Sequence, residues 1–342
     1  MTIRIGVLDR SPVNEGETPV QAIAHTLKLA QKAEELGFYR FWVSEHHGSD
    51  VLVGSSPEVL IAHLLAQTSR IRIGSGGVML QHYSPFKVAE NFNLLASLSP
   101  GRVDLGVGRG PGGLPLSSKA LLPATQGEAL PIADKLAQLD QYLNQGGSDG
   151  LKAQPLPVTP PALYVLGAGG SSARLAADQG LPYVYAHFLN GDEEVLLQSL
   201  AAYREHFKAA GGRKPELIFA VSVLFADTDE DAERLAGDMI TYKVHLSSGK
   251  TLSIFSLELA ERLGQQANEP YTIEAKPASI LHGSKTTLAE KLSGLCRKHG
   301  IEEVIVLPAA HDFSKRLQAY EWLADGLQLD RPLSYSIGEA IQ

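Results

Sequence analysis

The aromatic and β-branched run Phe41-Trp42-Val43 leads directly into the polar sequence Ser44-Glu45-His46-His47. A helix-like segment at 18–36 precedes this run, and Ser55-Ser56-Pro57-Glu58 after it is typical of a helix N-terminus. We therefore predict a buried strand over 40–44, between two helices. The carboxyl ends of strands carry the chemistry of parallel α/β proteins, so the polar residues at this strand end are candidate functional residues.

Strand-like and helix-like segments alternate along the chain, which is the pattern of βα units and a parallel sheet. Eight such units favour a closed (β/α)8 barrel, the TIM-barrel architecture, over an open doubly wound sheet. The whole chain, 1–342, is expected to form one domain, with insertions after the fourth strand (108–161) and near the seventh (245–283). Long connections of this kind are usually lids or binding loops, so we expect 245–283 to be a lid, and a functionless insertion is the alternative. The predicted strands are 3–8, 40–44, 71–75, 103–107, 162–166, 183–185, 217–225 and 303–307. A helix is predicted at 229–242 after the seventh strand, and the two insertions contain one predicted helix at 130–143 and one amphipathic segment at 255–263.

The composition describes a protein with a large core and no polyanionic partner. The chain has 342 residues, of which 44% are hydrophobic and 20% charged, and its formal net charge is −8. No cluster of lysine and arginine stands out, so a nucleic-acid partner is not expected. Cys296 is the only cysteine, which excludes an intrachain disulfide, and no apolar run reaches about 18 residues, so no membrane partner is expected either. Without a signal-peptide pattern at the N-terminus, we expect a cytoplasmic protein.

The paired histidines are compatible with two kinds of site. Side chains alternate along a strand, so His46 should face away from Glu45 and His47, which places one histidine in the barrel mouth. A neutral imidazole serves as an acid or base near pH 7, and an adjacent carboxylate can orient it. The alternatives are that the histidines only cap the rim by hydrogen bonding, or that His187 and Asp9 join one of them in a metal site. Adjacent histidines do not offer two ligands from one strand face, so a metal is not expected.

Glycine-rich strand ends and one arginine predict an anion site. Gly74-Ser75-Gly76-Gly77-Val78 should end the third strand and let a flat ligand approach, with a bulge or sharp turn as an equal alternative. Arg109, framed by glycines after the fourth strand, is the leading anion ligand because a guanidinium binds phosphate in bidentate fashion; pairing with an acid at the rim is the alternative. The loop Gly167-Ala168-Gly169-Gly170-Ser171-Ser172 opens a helix and offers free N–H groups to a phosphate, unless it is an ordinary turn. A generic barrel would place phosphate at His282-Gly283-Ser284 instead.

Four motifs occur in an order and spacing that resemble the bacterial luciferase-like flavin monooxygenases, close to the luciferase α-subunit in plan. The resemblance covers nearly the whole chain. Each motif is weak alone, and the combination makes the resemblance specific. The motifs are Val43-Ser44-Glu45-His46-His47, Gln81-His82-Tyr83-Ser84-Pro85-Phe86-Lys87-Val88-Ala89-Glu90, Ser99-Pro100-Gly101-Arg102-Val103-Asp104-Leu105-Gly106-Val107-Gly108-Arg109-Gly110 and Leu175-Ala176-Ala177-Asp178-Gln179-Gly180-Leu181-Pro182-Tyr183.

The resemblance implies a (β/α)8 barrel that binds FMN at the carboxyl ends of its strands, commonly as a homodimer. His46 matches the family's catalytic histidine, and Arg109 matches its phosphate-contacting arginine. Gly76-Gly77 falls where relatives have a non-prolyl cis peptide against the flavin ring. The phosphate loop corresponds to Gly169-Gly170-Ser171-Ser172, and Lys119 is expected to replace a second phosphate-binding arginine.

The activity implied by the resemblance is that of a monooxygenase that uses reduced FMN and O2 on a small organic substrate. No segment that could reduce FMN with NADPH is apparent, so a separate NAD(P)H:flavin reductase is expected as a partner. Glu45, His82, Tyr83 and His187 are the candidate substrate-pocket residues, and 245–283 matches the position of the family's mobile active-site loop. The alternatives are a deazaflavin-dependent dehydrogenase or a non-catalytic flavin-binding protein on the same barrel, and then a metal-dependent barrel hydrolase.

The chain also departs from the luciferase pattern. Gly108 stands at the position of the luciferase cysteine next to the phosphate arginine, and Ala168 and Gly169 stand at the acidic and serine positions of the phosphate loop. Light emission and a long-chain aldehyde substrate are therefore not implied.

Overall fold

Strands and helices alternate through the computed structural model, which describes residues 3–121, 130–144, 147, 150–209, 212–310 and 312–330. The strands are β1 (Arg4–Asp9), β2 (Arg40–Val43), β3 (Arg72–Met79), β4 (Val103–Gly108), β5 (Ala162–Gly167), β6 (Tyr183–Ala186), β7 (Leu217–Phe225), β8 (Ile240–Leu246), β9 (Thr251–Ile254), β10 (Tyr271–Pro277), β11 (Ile280–Gly283) and β12 (Glu303–Pro308). The helices are α1 (Pro19–Glu35), α2 (Pro57–Ala66), α3 (Pro85–Leu98), α4 (Pro115–Leu121), α5 (Ile132–Asn144), α6 (Gly170–Asp178), α7 (Glu193–His206), α8 (Asp229–Gly237), α9 (Leu257–Ala267), α10 (Lys285–His299) and α11 (Phe313–Gly326), and a 3-10 turn spans Leu80–His82.

Eight parallel strands close into a barrel, so the predicted (β/α)8 fold is confirmed. Consecutive strands pair from β1 through β7, and β12 closes the ring by pairing with both β7 and β1. On one side of β7, β6 pairs with residues 217–220 and β11 pairs with residues 222–225. β11 therefore occupies the position next to β7 beyond the end of β6. Each predicted strand overlaps one of the eight barrel strands.

The third strand differs from its prediction. β3 runs on to Met79, so Gly76 and Gly77 lie inside it and do not end it. The pairing with β4 shifts register between Gly76 and Val78, which is the β-bulge that was the alternative to a ligand-binding loop. The bulge leaves both glycines near the carboxyl-terminal rim of the barrel.

Local sequence signals start the outer helices. Thr18 caps α1 in a capping box: its hydroxyl accepts from the Gln21 N–H (3.3 Å), and the Gln21 side chain accepts from the Thr18 N–H (2.8 Å). Pro57 and Pro85 occupy the first turns of α2 and α3, where a missing N–H costs no intrahelical bond. Ser56 stands at the cap of α2, but its side chain makes no capping hydrogen bond, so the predicted serine cap is wrong in that detail. The helices pack their apolar faces on the outside of the barrel and form the largest buried cluster with it.

Paired charges fill the amino-terminal end of the barrel. Arg40 donates to Asp104 Oδ2 (2.8 Å) and to Glu303 Oε2 (3.1 Å), and Trp42 Nε1 donates to Asp104 as well (2.9 Å). All four side chains are at most 1% exposed. Burial of these charges is tolerated because each has a partner. These side chains close the interior of the barrel at its amino-terminal end.

The two insertions contain more regular structure than the sequence indicates. After β4 the chain forms both α4 and α5, where the sequence predicts one helix at 130–143. The helix predicted over 229–242 is too long, because α8 ends at Gly237 and β8 begins at Ile240. β8 pairs with β9 and β10 in a three-stranded antiparallel sheet, so the second insertion begins at Ile240 and not at 245. None of the helices in the described ranges is long and apolar enough to span a membrane.

Candidate active site

Glu45 organises the rim just beyond the end of β2. Its carboxylate accepts hydrogen bonds from the Tyr83 hydroxyl (2.8 Å), the Met79 N–H (2.9 Å) and the His47 imidazole (2.7 Å). These bonds tie the end of β2 to the end of β3 and to the turn after it. The structure thus brings together two of the predicted pocket residues, Glu45 and Tyr83. Because Glu45 is only 1% exposed, its role is to position its neighbours.

His46 has different partners from the residues on either side of it. Its Nδ1 lies 3.0 Å from Ser44 Oγ, and its Nε2 makes no hydrogen bond with a described residue. The pKa of His46 is lowered to about 4, mainly by burial and also by the charges of Arg10 and His47. The imidazole is therefore neutral at physiological pH and can take up or donate a proton at Nε2.

We expect the imidazole of His46 to titrate near pH 4, well below the ordinary histidine value of 6.5. In the unfolded chain His46 regains the ordinary pKa, so its protonation destabilises the fold as the pH falls from about 6.5 toward 4. NMR titration of the imidazole Cε1–H signals measures this pKa, and a His46→Gln variant assigns the signal. A signal that titrates at the ordinary value would contradict the buried environment described here.

The peptide between Gly76 and Gly77 is cis, as the family resemblance implies. Packing within the protein also leaves little room for a side chain at either position. A Cβ at Gly76 would lie 2.8 Å from Leu8 Cδ1, and a Cβ at Gly77 would lie 2.5 Å from the Gly106 carbonyl oxygen. The two glycines are therefore explained by the close approach of β3 to its neighbours, and by themselves they do not indicate a ligand.

Arg109 and the loop before α6 meet at the rim. Arg109 Nη2 donates to Ser171 Oγ (2.6 Å), although the two residues are 62 positions apart in the chain. Gly169 caps α6 without a side-chain bond, and the N–H groups of Gly170 and Ser171 donate to no atom of the described residues. No atom outside the local backbone lies within 4 Å of a Cβ placed at Gly169 or Gly170, so the space in front of the loop is open. A guanidinium, a hydroxyl and two free N–H groups at a helix N-terminus form a donor set that fits a phosphate.

Ser172 supports this loop from below. Its hydroxyl donates to the Gly169 carbonyl (2.9 Å), and the Tyr183 hydroxyl donates to the same oxygen (3.2 Å). Ser172 is only 3% exposed. Among the residues predicted for the phosphate loop, Gly170 and Ser171 therefore present donors to the open space, whereas Ser172 holds the loop in place.

The competing phosphate location before α10 already holds a carboxylate. Asp229 accepts from the Ser284 N–H (2.7 Å) and from the Thr287 hydroxyl (2.8 Å). This internal negative charge satisfies the helix N-terminus, which leaves the loop before α6 as the better anion site. Lys119 lies on the exposed side of α4, and no hydrogen bond or ion pair joins it to Arg109 or to another described residue.

The remaining predicted residues are engaged within the protein. His82 Nε2 donates to the Pro111 carbonyl (2.9 Å), and His187 Nδ1 lies 3.1 Å from Ser279 Oγ. Burial lowers the pKa of His187. Asp9 is bound by Arg316. Within the ranges that the structure describes, no three His, Cys, Asp or Glu residues are grouped to hold a metal ion.

A cavity of about 280 Å³ lies between the barrel rim and the second insertion. Leu8 and Leu307 from the barrel and Ile240 and Phe255 from the insertion line it, together with Arg10. Arg10 is not among the residues that the sequence predicts for the site. Arg10 directly follows β1, so it is, like His46, a polar residue at the carboxyl end of a barrel strand. The same sequence signal could therefore have identified it.

A family model for luciferase-like monooxygenases matches residues 3–303. The chain belongs to this family. An N-acetyl-S-alkylcysteine monooxygenase of Bacillus subtilis (strain 168) is 39% identical over 330 residues, which cover 95% of this chain and 98% of that protein. The resemblance inferred from the four motifs is confirmed, and this luciferase-like monooxygenase is an enzyme of the flavin-dependent class.

Several solved structures share the barrel. That of apo-MsnO8 superposes with a TM-score of 0.79 at 32% identity, covering 97% of this chain and 99% of that one. The oxygenating constituent of 3,6-diketocamphane monooxygenase from Pseudomonas putida, in complex with FMN, has a TM-score of 0.69 at 19% identity over 95% and 98% of the two chains. An F420-dependent secondary alcohol dehydrogenase has a TM-score of 0.65 at 16% identity over 95% and 99%. The last two show the fold alone, and the fold by itself does not choose between FMN and F420.

Proposed function

We propose that this luciferase-like monooxygenase uses reduced FMN and O2 to oxygenate a small organic substrate. The observation that carries the proposal is the hydrogen bond between Arg109 and Ser171, because it joins two segments that the sequence predicts separately as anion ligands. The free N–H groups of Gly170 and Ser171 lie at the same point of the rim. FMN carries a terminal phosphate whose charge and geometry suit this donor set.

Each residue of the site has a defined task in this proposal. Arg109 and Gly170-Ser171 would hold the phosphate of FMN, and the backbone of Gly76-Gly77 would support its ring. Reduced FMN, when bound, supplies the electrons that activate O2. His46 takes up or donates a proton at Nε2, and Ser44 at Nδ1 fixes the orientation of the ring.

The other parts of the proposal concern organisation and partners. Residues 1–342 form one domain that acts as a homodimer in the cytoplasm, where a separate NAD(P)H:flavin reductase supplies reduced FMN. The insertion that the sequence places at 245–283, and that begins at Ile240 in the structure, acts as a lid. Its residues Ile240 and Phe255 line the cavity, which supports this role. Lys119 adds a second cation near the phosphate from the exposed side of α4.

The substrate class follows from the relative and from the size of the cavity. The Bacillus subtilis relative is named for N-acetyl-S-alkylcysteines, and we propose this class as the first substrates to test. A cavity of about 280 Å³ lies near the lower end of the range for ligand pockets, which favours a small molecule.

Reductase-coupled turnover tests the proposed function. FMN binding is measured first, by quenching of flavin fluorescence. The protein is then mixed with FMN, NADPH, a flavin reductase and N-acetyl-S-benzylcysteine under isotopically labelled O2. We expect the product to contain one labelled oxygen atom and to form only when the protein is present. F420 and its reductase in place of FMN should give no labelled product.

Several outcomes would contradict this proposal in different places. Absence of saturable FMN binding would remove the cofactor assignment. Oxygen-independent oxidation of an alcohol with F420 would favour the dehydrogenase alternative. Oxidation of NADPH by the protein without a reductase, at the rate of the coupled assay, would contradict the two-component organisation.

A further inference from the structure

The cavity beside the candidate active site combines an apolar wall with one unusual charge. Most of the residues that line it are apolar, and they come both from the barrel, as Leu8 and Leu307 do, and from the insertion, as Ile240 and Phe255 do. Such a lining suits the organic part of a small substrate. The charged side chain that is not explained by the fold is Arg10.

Arg10 brings to the cavity a positive charge that no described carboxylate pairs with directly. Its neighbour in the chain, Asp9, is bound by Arg316, so these two charges neutralise each other. Arg10 forms no hydrogen bond or ion pair with any residue in the described ranges, and its guanidinium carbon lies 5.0 Å from the ring centre of Phe255. Asp238, the other carboxylate that lines the cavity, is exposed and does not pair with Arg10.

We propose that Arg10 binds a carboxylate of the organic substrate, an inference that rests on the proposed function. The planar guanidinium matches the geometry of a carboxylate and can hold it with two parallel hydrogen bonds. A partly buried cation without a partner is unfavourable, and an anionic ligand would remove that penalty. The substrate class is therefore a small carboxylic acid whose apolar part fills the space between the barrel and the insertion.

A carboxylate bound at Arg10 would lie close to His46, the candidate catalytic residue. Burial lowers the pKa of Arg10, and the charge of Arg10 in turn contributes to the lowered pKa of His46. The Ser44 N–H also donates to the Asp9 carbonyl (3.1 Å), so the residues that follow β1 and β2 run side by side at the rim. A substrate anchored at Arg10 through its carboxylate places the rest of the molecule near the imidazole.

Matched acid and amide ligands test this proposal without requiring turnover. N-acetyl-S-benzylcysteine and its primary amide differ in charge but hardly in shape. Isothermal titration calorimetry measures the binding of each to the FMN-loaded protein. We expect the acid to bind more tightly than the amide by roughly ten- to a hundredfold, the value of a charge-assisted pair.

Arginine variants assign the preference to one side chain. In Arg10→Gln the acid and the amide should bind within about threefold of each other. Arg10→Lys keeps the charge but not the planar guanidinium, so its preference for the acid should lie between those of the unmodified protein and Arg10→Gln. Arg234→Gln is the matched control, because it removes the same charge from α8, where the Arg234 side chain is 65% exposed. This control should keep the full preference for the acid. The melting temperature of each variant shows whether it is folded.

The outcomes separate this inference from the proposed function. Failure of FMN to load the protein would overturn the proposed function. A loaded protein that binds acid and amide equally, or that binds neither at millimolar concentration, would overturn the role of Arg10, as would a preference for the acid that persists in Arg10→Gln. The comparison of the two ligands in the unmodified protein needs no variant, so misfolding of a variant does not leave the proposal untested.

Discussion

His46→Ala is expected to lower the kcat of reductase-coupled oxygenation by roughly 100- to 10,000-fold, the usual contribution of a positioned acid or base. The affinity for FMN should change by less than about threefold, because the phosphate donors lie directly after β4 and at the start of α6 and not on the segment after β2. Rapid-mixing kinetics with prereduced FMN measures turnover, and fluorescence quenching measures FMN binding.

The physical reason for this expectation is that the imidazole of His46 is neutral and that its Nε2 has no hydrogen-bond partner among the described residues. A pKa near 4 keeps the imidazole of His46 neutral at pH 7, and Ser44 engages only Nδ1. Nε2 is then the nitrogen that can exchange a proton with a substrate. Ser44→Ala should reduce kcat by a smaller factor, about tenfold, because the ring loses its orientation but remains present.

His63→Ala is the matched control for this prediction. His63 is an exposed histidine on α2, and its removal should leave kcat unchanged within error. Added imidazole should restore part of the activity of His46→Ala, since the truncated side chain leaves room for it. Equal loss of FMN affinity and turnover in His46→Ala would show that His46 acts in binding, which would contradict the assigned role.

The barrel is predictable because its signals are local. Each βα unit places an apolar run beside an amphipathic helix, and the strand at Phe41 to Val43 is identified by its own residues and by the helix signals around it. The amino-terminal end of the barrel is not predictable in this way. In the sequence, three otherwise apolar strands each contain one unexplained charge, at Arg40, Asp104 and Glu303. These charged side chains pair only because closure of the barrel brings the amino-terminal ends of β2, β4 and β12 together.

The second insertion shows where a local pattern fails. The sequence from Asp229 to Tyr242 continues as one helix by periodicity, but Tyr242 pairs with Ala275 in β10, more than 30 positions later. Pairing with β10 on one side and β9 on the other stabilises β8 as a strand, which local helix propensity cannot reveal. Strand pairings of this range are a tertiary property, so the start of the insertion is misplaced by five residues in the prediction.

The candidate site was predictable residue by residue but not as an assembly. Glycines around Arg109 and before Ser171 indicate an anion site in each segment, whereas the hydrogen bond between them depends on the neighbouring positions of β4 and β5 in the barrel. The sequence does not identify Arg10 as a site residue, because nothing in it shows that Arg316 pairs with Asp9 and leaves Arg10 without that partner. Arg316 lies 307 positions from Asp9 in the chain and takes the carboxylate that Arg10 would otherwise be expected to bind.

Arg109→Ala is expected to weaken FMN binding by about 1.5 to 3 kcal/mol, or roughly ten- to 150-fold. The guanidinium loses a charge-assisted contact with the phosphate, and Ser171 loses the bond that holds its hydroxyl at the rim. Because Arg109 is exposed, solvent screening places the expected value near the lower end of this range and makes it smaller at high salt. Fluorescence titration with FMN at two ionic strengths measures both effects.

Riboflavin makes this prediction specific to the phosphate. Riboflavin has the same ring as FMN but lacks the phosphate, so Arg109→Ala should weaken FMN and leave the affinity for riboflavin nearly unchanged. Arg174→Ala is the matched control, since Arg174 lies on α6 close to the same loop but is 51% exposed and pairs with Asp178 in its own helix. That variant should retain the affinity of the unmodified protein for FMN. If Arg109→Ala weakened riboflavin and FMN equally, the guanidinium would act through the shape of the loop, and the assignment of this rim as a phosphate site would lose its main support.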